Sequence, residues 1–190
     1  MRAPAVLCMF ARREPGAVAP SASAGQDSTE RTVMSAVDTS LFKPELVFFD
    51  FDATDREDFF KKLGAELSSR GYIKDTWFDA IMEREANYPT GLGCQAINVA
   101  IPHVDPEHLA KPYIAVIKPK NPVVFEPMGG MGDPVPAELI VNLGLLAHAE
   151  GQVFILQALM GIFMDEASCA EILAQDTPES MVETMVKFCS

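Results

Sequence analysis

The sequence predicts an α/β domain in which helices are layered on a β-sheet. Strand-length apolar runs mix with longer segments of helical periodicity from Glu45 onward, with no internal repeat. The 190 residues are 48% hydrophobic and 22% charged, the balance of a single domain with a full-sized core. Proline, glycine and helix-capping residues stand at the ends of several of those segments.

"ELVFFDF" (45–51) is the first strand candidate. Thr54 and Glu57 then frame a capping box, Phe59, Leu63 and Leu67 follow at helical spacing, and Gly71 stops the helix. Asp75 is expected to cap a second helix, "DTWFDAIMEREANY", which Pro89 closes. "PTGLGCQA" reads as a loop leading into the strand "INVAI" (97–101). "YIAVI" (113–117) is a strand bounded by prolines, and "PVVF" (122–125) a short edge strand. "MGGMGDP" is turn-rich, "ELIVNLGLLA" (138–147) a buried strand, and "GQVFILQALMGIF" (151–163) a helix apolar on most faces. Asp165 and Thr177-Pro178 open two further helices. These spacings leave open which strands run parallel.

The first 33 residues differ from the rest. They are rich in Ala, Pro, Ser and Gly and carry four basic and three acidic residues, so the remainder nets about −13 of the formal −12. The apolar run from Ala3 to Ala11 is short and broken by Pro4, which disfavours a signal or transit peptide. Residues 1–40 are expected to be a disordered extension or a mis-assigned start, with residues 41–190 forming the domain.

Charge excludes one class of function. At −12, with a sequence pI near 4.6, the chain lacks the basic stripe that neutralises nucleic-acid phosphates. Cys8, Cys94, Cys169 and Cys189 show neither CxxC nor metal-ligand spacing and are expected to be reduced. No stretch reaches the roughly 18 to 20 apolar residues that cross a bilayer. GxSxG, P-loop and GxGxxG frames are absent from the sequence, and "GLG" and "GGMG" lack the required context.

His103, one of three histidines, follows Pro102 where "INVAIPHVD" turns from strand to loop. Proline holds its own φ and biases Ile101 towards extended backbone, so the strand ends there and presents the imidazole beside loops. The residues alone leave two roles open, chemistry or a local hydrogen bond. His108 lies in the polar loop "DPEHLAKP" and is expected to face solvent; His148 follows a buried strand and fits either role. Neither spacing makes a metal site. Arg84 shares a helix face with Trp77 and Ile81, so its cation needs a partner, either a carboxylate or a bound anion. A Cys94–His103 nucleophile pair matches no protease signature.

"MEREANYPTGLGCQAINVAIPHVD" (82–105) combines an Arg-Glu pair, Pro-Thr-Gly and an apolar strand ending in "AIPH". That constellation resembles the enzyme IIA domains of the fructose–mannitol class of the bacterial sugar phosphotransferase system. "DTWFDAIMEREANYPTGL" looks most like the galactitol-type branch, and "LIVNLGLLAHAEGQVFILQALMGIF" is similar to the family's later strand and helix. The likeness spans roughly residues 42 to 189. It implies a single domain with a mixed sheet.

The resemblance also implies roles. His103 falls at the phosphorylated histidine, which accepts phosphoryl from HPr and passes it to a cysteine of enzyme IIB. Arg84 falls at the arginine that steadies phosphoryl. An imidazole with an ordinary pKa of about 6.5 is a neutral nucleophile near pH 7. A planar guanidinium meets two phosphoryl oxygens at once. No cofactor or metal is implied, and a phosphohistidine donor makes a nucleotide site unnecessary. The family often has a second histidine at the start of the helix after the late strand. Gln152 stands there, able to donate a hydrogen bond to a phosphoryl oxygen but not to carry charge. The implied activity is cytoplasmic phosphotransfer serving sugar-alcohol uptake through membrane enzyme IIC, with galactitol the substrate suggested by the branch. The alternatives are a regulatory protein resembling the nitrogen-related enzyme IIA, and a domain that only binds.

Overall fold

The structure is a computed structural model and describes residues 37–146 and 149–190, apart from the side chains of 149–152. The expectation for residues 1–40 falls almost wholly outside them, as does His148. In chain order the elements are β1 (Phe42–Phe51), α1 (Arg56–Ser69), α2 (Trp77–Asn87), β2 (Gly91–Gly93) and β3 (Asn98–Ala100). Then come β4 (Tyr113–Pro119), β5 (Val123–Phe125), β6 (Val135–Ala137), β7 (Leu139–Gly144), α3 (Ala149–Phe163), α4 (Glu166–Leu173) and α5 (Pro178–Cys189).

Five strands form one mixed sheet in the order β1-β4-β7-β3-β2, and β5 pairs with β6 in a separate antiparallel ribbon. β1 runs parallel to β4 and β3 parallel to β7; β4–β7 and β2–β3 are antiparallel. Both faces of the sheet are covered. On β4, Ile114 and Val116 join a core shared with Leu159, Phe163, Ile172 and Met181 of the C-terminal helices. Tyr113, Ala115 and Ile117 join the other, with Phe59, Leu63, Trp77 and Phe125. Alternate strand residues thus serve opposite layers, which is why "YIAVI" is continuously apolar rather than alternating.

Local signals place most elements, with instructive displacements. Asp55, not Thr54, caps α1: its carboxylate accepts from Asp58 N at 2.9 Å while Asp58 Oδ2 accepts from Thr54 N at 3.0 Å. "TDRED" holds two overlapping cap frames, and the frame one residue later is used. Gly71 (φ +70°) ends the helix as expected, with Tyr72 N donating to Leu67 O at 3.0 Å and Gly71 N to Ser68 O at 2.9 Å. Asp75 caps nothing. Thr76 precedes α2 with helical backbone, and its hydroxyl turns instead to His108 Nδ1 at 2.9 Å. Asp165 and Thr177 cap α4 and α5 as expected, each accepting from the backbone N–H three residues on.

One strand lies where the sequence reads as loop, and another, β6, where it reads no element. Within "PTGLGCQA", Gly91–Gly93 pairs with β3 as a hairpin. Gly91 is required there by close approach, since a Cβ would come within 2.6 Å of Glu126 O. β6 contains Pro136, which the exposed side of a two-stranded ribbon tolerates.

Gly144 ends β7 directly opposite Tyr113, and a Cβ there would lie 2.2 Å from the phenol ring. Gly144→Ala should therefore cost about 2 kcal/mol or more, because a fully buried ring has nowhere to retreat. Urea denaturation measures this; a loss below about 0.5 kcal/mol would show that the ring relocates freely.

Candidate functional site

β3 ends at Ala100, and Ile101 N reaches across to Thr90 O at 3.3 Å, so the chain stays extended until Pro102. His103 then bridges in parallel to Leu143, near the C-terminal end of β7. That places the imidazole just beyond the carboxyl end of β3 and beside that of the parallel strand β7, where α/β sheets concentrate binding groups.

Both ring nitrogens are engaged. Nδ1 lies 3.0 Å from Ile101 O, and a carbonyl only accepts, so Nδ1 carries the proton. Nε2 lies 2.6 Å from Arg84 Nη2, and a guanidinium only donates, so Nε2 presents its lone pair. The two contacts require the same neutral tautomer. Burial is the main reason that the His103 pKa falls below its ordinary 6.5; the Ile101 carbonyl opposes the fall, and the Arg84 charge adds to it. Val104, Leu143, Leu145 and Leu156 form the apolar surroundings of the ring.

Arg84 occupies the last turn of α2, where a cation meets the negative end of the helix dipole. Its side chain is 29% exposed. Besides His103 it has a long contact to the exposed Asp105 at 3.8 Å and lies 5.8 Å from the Tyr88 ring. Its Nε is buried and has no hydrogen-bond partner among the described residues. Among the described residues no carboxylate comes closer to the guanidinium than Asp105, and it borders an open cleft of about 260 Å³ lined by Glu83, Asn87, Tyr88, Asp105 and His108.

Glu85, one residue on, points inward and is 2% exposed. It accepts from Thr90 N at 2.8 Å, and its two oxygens lie 3.1 and 2.9 Å from Thr90 Oγ1. This ties the end of α2 to the start of β2, and so to the strand pair that delivers His103. Burial pushes the Glu85 carboxyl up to about 7, against the pull of the Thr90 hydrogen bonds.

The other sequence candidates divide. His108 is partly buried against Thr76 rather than solvated, with Nε2 3.3 Å from Glu107. Cys94 belongs to the β2–β3 turn, where its N–H donates to Ile97 O, and burial raises its thiol; the His103 ring bonds elsewhere. Gln152 is the fourth residue of α3, and its side chain lies outside the described residues. Among the described residues, no group of three His, Cys, Asp or Glu could hold a metal ion, and no single helix is long and apolar enough to cross a membrane. Composition and periodicity gave no warning of Asn142, which is fully buried beneath Pro102.

Residues 40–187 match the family described as phosphoenolpyruvate-dependent sugar phosphotransferase system, EIIA 2. The chain belongs to this family. As an EIIA it is a phosphotransferase, carrying phosphoryl groups. Among its relatives, the galactitol-specific EIIA component of Escherichia coli K12 is 31% identical over 123 residues, 65% of this chain and 78% of that protein. Two solved structures share the EIIA fold. Nitrogen regulatory protein IIA-Ntr of Neisseria meningitidis aligns at TM-score 0.64 and 23% identity, over 77% of this chain and 97% of that one. Mannitol enzyme IIA of Escherichia coli, solved in complex with phosphorylated mannitol enzyme IIB, aligns at 0.59 and 20%, over 75% and 95%.

The Glu85 carboxyl yields a signed prediction for this EIIA domain. Its folded pKa lies above the ordinary 4.5, so the folded state holds more protons between about pH 4.5 and 7. The associated stability is complete below pH 4.5 and lost as pH rises through 7. Glu85→Gln should remove that dependence, changing the variant-to-wild-type stability difference by about 2 to 3 kcal/mol between pH 5 and 8. Urea titrations at both pH values check it. A difference that does not change with pH would mean that Glu85 ionises normally.

Proposed function

We propose that His103 Nε2 is the phosphoryl acceptor of this EIIA, that Arg84 steadies the transferring group, and that phosphoryl passes from HPr through His103 to a cysteine of enzyme IIB. The observation that carries this reading is the 2.6 Å contact between Arg84 Nη2 and the lone pair of Nε2, on a ring whose other nitrogen is already protonated.

In the reaction, the Nε2 lone pair attacks phosphorus as the donor N–P bond breaks, and the electron pair returns to the donor imidazole. The His103 ring keeps its Nδ1 proton and becomes positively charged, and the Ile101 carbonyl stabilises that charge. Arg84 moves its hydrogen bond from nitrogen to the phosphoryl oxygens, a short shift of a donor already aimed at the site. Transfer onward reverses these steps, because a neutral imidazole leaves easily. Gln152, near the start of α3, adds a hydrogen bond to a phosphoryl oxygen in this reading.

The galactitol-specific relative at 31% identity supports a sugar alcohol, galactitol, as the substrate served, with membrane enzyme IIC binding the sugar and this chain acting in the cytoplasm. The mannitol IIA–IIB complex supports enzyme IIB as acceptor. The regulatory alternative gains from the IIA-Ntr likeness nothing beyond the fold, at 23% identity.

Incubation with enzyme I, HPr and phosphoenolpyruvate should add one phosphoryl group on Nε2 of His103, labile in acid and stable in alkali. His103→Ala should fold and take no label, whereas label persisting there would overturn the assignment. Arg84→Lys should fold and accept phosphoryl about 10- to 1,000-fold more slowly, since an ammonium lacks the bidentate fork. Unchanged kinetics would reduce Arg84 to a structural cation.

A further inference from the structure

We propose that Asn142, oriented by Tyr113, positions His103 for phosphoryl transfer by clamping the Pro102 carbonyl from beneath. The inference rests on the reading of His103 as phosphoryl acceptor.

Asn142 sits in the middle of β7, a strand whose residues are all buried, and it is itself fully buried. A carboxamide in that position is costly unless both its ends are matched. They are. Tyr113 Oη donates to Oδ1 at 2.7 Å, and Nδ2 donates to Pro102 O at 3.0 Å. The orientation is forced, because a flipped amide would set Oδ1 against the Pro102 carbonyl, two acceptors face to face. Tyr113 is a dependable donor: burial holds its phenol far above the ordinary range, so it stays protonated.

The Pro102 carbonyl receives a second bond, from Leu143 N at 3.0 Å. Two donors from adjacent residues of one rigid strand thus fix the peptide plane linking Pro102 to His103. That peptide sets the origin of the His103 side chain, and the Nδ1 bond to Ile101 O sets its rotation. With both in place, Nε2 lies 2.6 Å from Arg84. Gly144 belongs to the same device, since only a missing Cβ leaves room for the Tyr113 ring to reach diagonally across to Asn142. Asn142 contacts no reacting atom. Its effect passes through the backbone, so it is a positioning residue, and an error on the scale of 1 Å at the nucleophile costs up to about 100-fold.

The test compares Asn142→Leu and Tyr113→Phe with the native chain, following phosphorylation by phospho-HPr across donor concentrations and the ¹⁵N signals of the His103 ring. Asn142→Leu should lower kcat about 10- to 100-fold with KM within about 3-fold. Tyr113→Phe, which leaves Asn142 Oδ1 without its donor but keeps the packing, should lower kcat about 3- to 10-fold. Both should move the ring signals, and a residue that only filled space would leave them in place. If Asn142→Leu does not fold, Tyr113→Phe alone decides. Native ring signals with kcat within 2-fold in the folded variants would overturn the clamp. The ring signals judge the clamp whether or not His103 is the acceptor, while label surviving in His103→Ala would overturn only the function proposed above.

Discussion

The parallel pairing of β3 with β7 is the constraint from which the site follows. Val99 and Ala100 lie opposite Leu139 and Ile140, and the same register carried three residues further sets His103 against Leu143. A slip of one residue would turn every side chain of β3 to the other face, sending Val99 into the wrong core and His103 away from Arg84. The register is held from both sides, by Val99 and Ile101 in one core and Ala100 in the other. Packing energy spent on ordinary apolar residues therefore fixes the position of one imidazole.

Two adjacent ionisable residues on α2 illustrate how a helix can serve structure and chemistry at once. Successive residues are about 100° apart, so Glu85 enters the layer between helix and sheet while Arg84 stays at the rim. Glu85 spends its hydrogen bonds on Thr90 and becomes part of the scaffold. Among the described residues Arg84 meets a distant exposed carboxylate, the Tyr88 ring and a ring nitrogen, which leaves Nη donors available to an anion. A structural ion pair would need a close carboxylate, and none of the described residues supplies one to Arg84.

Elements whose signals are local were legible in the sequence. The caps at Asp165 and Thr177, the glycine stop at residue 71 and the apolar run of β4 depend on neighbours a few residues away, and each lies where it was read. Misreadings occurred where a distant partner decides. Asp75 has the chemistry of a cap, yet α2 starts under contacts from the His108 loop. β2 and β6 are three residues each, too short for periodicity, and they are strands only because β3 and β5 lie alongside.

The same division runs through the site. Sequence by itself determined the layered α/β class, the proline that ends a strand before His103, the helix that carries Arg84 together with Trp77 and Ile81, and the resemblance that names the family. These depend on residue type and spacing, which travel with the chain. Only the tertiary structure decided that the neutral tautomer is held from both ring nitrogens, that Glu85 is a buried tie to Thr90, and that Asn142 and Tyr113 stand behind Pro102. The bonded residues are between 2 and 40 positions apart in the chain, and all but the His103–Ile101 bond exist only once the fold has brought their elements together.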